Sequence, residues 1–156
     1  SKGQFLMSLS PAASLAQHLA DAAFDDVCQN LSLQPHADGY CFADINDGSD
    51  SIQWLCLPVG EIYPWQKRNQ QVVWHWLAGA PLAVTTSPDG HDAAATHLGD
   101  ATRPHIHPDL TIAADHWHTS ETLGQWSLVQ ISSHTQQPTL SIEKAAADWF
   151  PRPRPH

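Results

Sequence analysis

Imidazoles and indoles hold most of the chemistry open to this chain, with eleven histidines and seven tryptophans in 156 residues. Three groupings stand out. His75 lies between Trp74 and Trp76 in QQVVWHWLAGAPL at 70–82, His116 and His118 flank Trp117 in DHWH, and His105 and His107 occur in RPHIHPD. Histidines two apart on a strand share a face, which suits a shared metal ion, while a single neutral imidazole is a proton acceptor near neutral pH. Tryptophan adds a broad apolar wall and an N–H that needs a partner when buried, so many of them imply a wide core or an aromatic-lined cavity. His36, His91 and His97 belong to no constellation.

Two kinds of element must position these residues. From Pro11 to Leu33 the apolar residues Leu15, Leu19, Ala22, Ala23 and Val27 recur at three and four, the period of one or two helices, with Ser10 as N-cap and Pro11 at the first helical position. From Tyr40 onward, short runs rich in Val, Ile, Leu, Thr and Trp alternate with turns: NDGSD at 46–50, GAP at 79–81, SPDG at 87–90, LGD at 98–100 and TLGQ at 122–125. That spacing predicts strands near 40–44, 51–57, 72–76, 82–86, 94–97, 110–113, 116–119 and 126–131. The expected class is all-β, two sheets closed on each other behind an N-terminal helix or two. Residues 1–9 are read as an N-terminal segment left over from expression, 10–148 as one domain, and 149–156 as an extended tail.

Composition removes several functions. Sixteen acidic against seven basic residues give a net charge of -9, which opposes extended binding to nucleic-acid phosphates. No apolar run approaches the roughly 20 residues needed to cross a bilayer, so neither nucleic acid nor membrane is an expected partner. Cys28, Cys41 and Cys56 lack C-x-x-C spacing and read as reduced, buried thiols of a cytoplasmic protein rather than as a zinc site.

LSLQPHADGYCFADI at 31–45, SIQWLCLPVGEIYPWQKRNQQVVWHWLAGAPLAV at 51–84, SPDG at 87–90, HLGD at 97–100 and IAADHWH at 112–118 resemble, in order and spacing, the fifth cupin subfamily (cupin_5, RmlC-like). The resemblance implies a double-stranded β-helix, a jelly-roll barrel with a ligand pocket at one mouth, and a homodimer. In metal-binding cupins two motifs supply three histidines and a glutamate. Aligning those motifs on Gly79 and Trp117 puts Gln66 and Arg68 at two histidine positions, Val72 at the glutamate and His118 at the last histidine. Because Arg keeps its charge and repels a cation, no cofactor is expected; a remodelled metal site would use His116 and His118 with His105 or His107.

Strand alternation sorts the rest. If Val72 faces the pocket, so do Trp74 and Trp76, while His75 faces out; His116 and His118 likewise share a face. The expected lining is therefore Gln66, Arg68, Val72, Trp74, Trp76, His116 and His118, with Trp54 and Gln130 opposite. A bulge near Asn69 would instead turn Arg68 outward. Such a pocket would select a small, partly apolar anion, Arg presenting a planar fork and Trp a flat wall. His118 is the expected catalytic base of a metal-independent isomerase, epimerase or lyase, with Tyr40, Tyr63, Asp115 or Glu61 as its acid partner. The alternatives are a non-catalytic small-molecule binder and a metal-dependent cupin.

Overall fold

Apolar residues at every second position of successive short strands leave each strand one face to bury, and two sheets meet over those faces. The structure, a computed structural model, describes residues 19, 21–45, 50–134 and 141–152. Its elements are α1 (Phe24–Asn30), β1 (Gln34–Pro35), β2 (Cys41–Asp44), β3 (Asp50–Pro58), β4 (Ile62–Arg68), β5 (Val72–Gly79), β6 (Leu82–Ser87), β7 (Ala94–Leu98), β8 (Asp109–Ile112), β9 (Trp117–Thr122), β10 (Trp126–His134) and β11 (Ile142–Lys144). A six-stranded sheet runs β1-β2-β3-β10-β5-β8 and a five-stranded sheet β11-β4-β9-β6-β7, and every pairing between these strands is antiparallel. The all-β double sheet expected from the turn spacing is present. Among the described residues no helix is long and apolar enough to cross a membrane.

Leu55, Leu57, Val72, Trp74, Leu82, Val84, Ile112, Val129 and Ile131 fill the space between the sheets. The outer face of the six-stranded sheet presents Cys41, Cys56, Ala78 and Leu128, and α1 covers them with Val27 and Cys28. The three thiols are buried there, and burial pushes Cys56 up to about 12 and Cys28 higher still. They are packing groups, because a nucleophilic cysteine needs a thiolate. Of the predicted helical region, α1 forms at its end; Ser10 and Pro11 lie outside the described residues.

One strand escapes the periodicity. β4 reads IYPWQKR, in which a proline and three polar residues obscure a two-residue period. The ladder to β9 pairs Tyr63 with Ser120 and Gln66 with His118 and shifts register between those pairs. Pro64 sits inside this bulge, where its missing N–H costs no ladder bond. The extra residue puts Tyr63, Gln66 and Arg68 on the inner face and Trp65 and Lys67 on the outer one. The bulge thus lies before Gln66 rather than near Asn69, and Arg68 points inward.

Candidate functional site

Three rings meet inside the barrel. Tyr63 and Trp74 cross edge to face at 5.3 Å, Trp74 and His118 at 5.9 Å, and Tyr63 stacks on His118 at 6.2 Å. Arg68 Nη2 donates to the Tyr63 hydroxyl at 3.0 Å, which donates in turn to Gln66 Oε1 at 3.3 Å. Gln66 Nε2 donates to the Pro64 carbonyl at 3.3 Å, so the bulge that aims Gln66 also anchors it. At the strand end, the Asp115 N–H donates to the Arg68 carbonyl at 2.7 Å and ties the β8–β9 turn to the site.

Burial leaves Arg68 Nε, Trp74 Nε1, His118 Nε2 and Ser120 Oγ here, and Gln70 Nε2 in the β4–β5 turn, without a partner among the described residues. A buried donor or acceptor left open costs about 1–3 kcal/mol, and a group of them in one place makes this cluster the candidate site. His118 is 1% exposed. Burial, reinforced by the Arg68 charge, lowers its pKa to about 4, against a weak opposing bond to the His116 carbonyl. Its imidazole is therefore neutral across the physiological range. Tyr40, buried beside Tyr63 at a ring distance of 5.4 Å, is pushed up by burial and stays a phenol.

The expected lining divides. Gln66, Arg68, Val72, Trp74 and His118 share the interior as alternation requires. Trp76 packs on the same core, but its N–H donates to the Ala80 carbonyl at 3.2 Å and its ring borders a cleft of about 430 Å³ with Asp21, Ala22 and Trp126. It belongs to the far end of β5. Trp54 and Gln130 require correction: they pair with each other across β3 and β10 through Trp54 Nε1 and Gln130 Oε1 at 3.0 Å, on the outward face beside His75. Leu55, Val129 and Ile131, their neighbours in sequence, take the inward positions. His116 precedes β9, half-buried, and contributes its carbonyl oxygen, 3.4 Å from His118 Nδ1.

His75 faces out toward Asp109 at 3.9 Å, and His105 and His107 are exposed. Of the acid partners proposed for His118, Tyr63 touches the site, whereas Glu61 and Asp115 are exposed. Sequence reasoning missed Ser120. Ser120 was accessible to it, being two residues beyond His118 on one strand and so on one face.

A divalent ion does not suit this donor set. Where metal-binding cupins place their ligands, this barrel has a valine without a donor, a guanidinium held inward, an amide already bonded on both sides, and one imidazole. Nor do the described residues bring three His, Cys, Asp or Glu side chains together. The remodelled site of His116, His118 and a loop histidine does not assemble among them.

The comparisons agree with this architecture. A family model described as "Cupin superfamily (DUF985)" matches residues 25–145. A crystal structure from Shewanella oneidensis superposes with a TM-score of 0.66 at 18% identity, covering 83% of this chain and 98% of that one. A hypothetical protein from Leishmania major gives 0.65 at 12%, covering 76% and 86%. The DMSP lyase DddQ from Ruegeria pomeroyi DSS-3 gives 0.52 at 16%, covering 76% of this chain and 59% of its own. At such identities the likeness is one of fold. Among curated proteins none matches.

Proposed function

The chain belongs to the cupin superfamily, in the family designated DUF985, and from that premise we propose that its barrel binds a small, partly apolar anion against Arg68. One observation carries the reading: Arg68 is turned into the barrel and its Nε is buried with no partner among the described residues. In a chain of net charge -9, a cation kept inside rather than at the surface has a specific use. Trp74 and Tyr63 supply flat walls, and Trp74 Nε1 adds a second open donor. Tyr63 and Gln66 hold the guanidinium in place before any ligand arrives, which lowers the ordering cost of binding.

Calorimetric titration with small carboxylates and phosphate tests this. Arg68→Ala should weaken whichever anion binds by about 10–100-fold, the loss of one or two charge-assisted bonds. Undiminished binding in that variant would remove the proposal.

A second reading is metal-independent proton transfer, and the bare His118 Nε2 in the same cluster favours it. Here the imidazole takes a proton from carbon next to a carbonyl, the electron pair moves onto the carbonyl oxygen, and Arg68 and Trp74 donate to that oxygen. With its pKa near 4, the unliganded His118 is a weak base. A bound anion offsets the Arg68 charge and raises its basicity once substrate is in place. Loss of all turnover in His118→Ala while the ligand still binds is the expected pattern; unchanged turnover of every active substrate would end this reading.

A further inference from the structure

Building on the anion reading of this site, we infer that the ligand is a hydroxycarboxylic acid, carrying a hydroxyl on the second or third carbon beside its carboxylate. Hydrogen-bond polarity is the reason. Arg68 Nε can only donate, and a carboxylate oxygen meets it; Trp74 Nε1 is a second open donor. His118 Nε2 is different. Its partner nitrogen Nδ1 faces the His116 carbonyl oxygen at 3.4 Å, an atom that only accepts, so the ring proton resides on Nδ1 and Nε2 presents a lone pair. That lone pair is buried and lacks a donor among the described residues.

A plain carboxylate would set a negative oxygen against it, acceptor against acceptor. Protonating the imidazole would remove the conflict, but burial, the largest influence on this ring, opposes that. A ligand hydroxyl resolves it by donating to Nε2. The same hydroxyl oxygen then accepts from Trp74 Nε1 or Ser120 Oγ, which lies two residues along β9 from His118 and opposite Tyr63 in the ladder. An ammonium group would also donate, but it would add positive charge beside Arg68. Ring separations of 5.3, 5.9 and 6.2 Å among Tyr63, Trp74 and His118 put these side chains in one cluster.

Matched pairs differing by one hydroxyl test the inference on the full chain: lactate against propanoate, 3-hydroxybutanoate against butanoate, and mandelate against phenylacetate, each titrated by calorimetry. At least one hydroxy acid should bind about tenfold or more tightly than its deoxy partner. In His118→Phe that ratio should fall to near one while both members still bind; in Arg68→Ala both should weaken with the ratio preserved. Trp74→Phe, which keeps the wall and removes the N–H, provides a second variant should His118→Phe fail to fold, and it should weaken hydroxy acids. Equal affinities within every pair, or a ratio that survives His118→Phe, would overturn the hydroxyl inference and leave anion binding standing. Failure of all six probes to bind would overturn the anion reading and this inference together.

Discussion

On the outer face of β4 and β9, Trp65 and Trp117 are closed over by Trp149, at ring distances of 5.4 and 4.6 Å, and Lys67 lies 5.0 Å above the Trp117 ring while pairing with Glu143 at 3.2 Å. On the inner face of the same two strands, Tyr63, Gln66, His118 and Ser120 are buried and Arg68 is half-buried, yet Arg68, His118 and Ser120 hold buried polar atoms with no partner among the described residues. Aromatic and cationic residues occur on both faces. What differs is completion: the outer set is satisfied by the chain's own C-terminal segment, and the inner set is left open where openness costs most. Completed aromatic clusters stabilise a fold, whereas the incomplete inner one is the ground of the anion proposal.

The contrast is sharpest at Trp74 and Trp149. Trp74 is fully buried, so Trp74→Ala should cost about 3–5 kcal/mol in denaturant unfolding. Trp149 is half-buried at the surface, and Trp149→Ala should cost about 1–2 kcal/mol. Anion affinity should respond only to the first. A Trp149→Ala variant that loses anion binding would show that the two faces are one site.

His118 gives the next largest effect, with a sign set by burial. Its folded pKa, about 4, lies below the ordinary histidine value of about 6.5, so as pH falls the unfolded chain takes up a proton first. Stability from keeping the ring neutral is complete above about pH 6.5 and is lost between there and pH 4, about 3 kcal/mol in all. His118→Phe should flatten that part of the stability curve. An unchanged slope would mean that the ring is not held neutral by its surroundings, and the lone-pair argument for the ligand hydroxyl would fall with it.

Much of this site was legible because strand alternation is geometric. In VVWHWLAG the period of two sends Trp74 inward and His75 outward whatever surrounds them, and the same rule pairs His118 with Ser120. What alternation cannot give is the phase of one strand against another. Trp54 and Gln130 lie on strands with equally apolar neighbours on both sides, since β3 and β10 bury one face against the barrel core and the other against α1. Bulges break the rule locally: the one within β4 resets Gln66 and Arg68, and a register shift between β10 and β5 at Leu128/Val129 leaves Leu77 unmatched just beyond the Trp76–Val129 pair. Contacts from distant sequence have no period at all, and the seating of Trp149 on Trp65 and Trp117 is of that kind.

Lys67 sets the smallest test and the finest one. Its side chain is a third exposed and that of Glu143 is 60% exposed, so their ion pair should contribute little and be screened by salt. The contact with Trp117 involves partly desolvated groups and should persist. Glu143→Gln is therefore expected to cost under about 0.5 kcal/mol, vanishing near 0.5 M salt, and Lys67→Ala about 0.5–1 kcal/mol, largely retained there. Lys67 is one residue from Arg68 and carries the same charge, but alternation puts it on the far side of the sheet. If anion binding depended on the basic character of this strand as a whole, both residues would count. If it depends on the inward face alone, Lys67→Ala should leave affinity within about twofold at moderate salt, while Arg68→Ala lowers it by an order of magnitude or more.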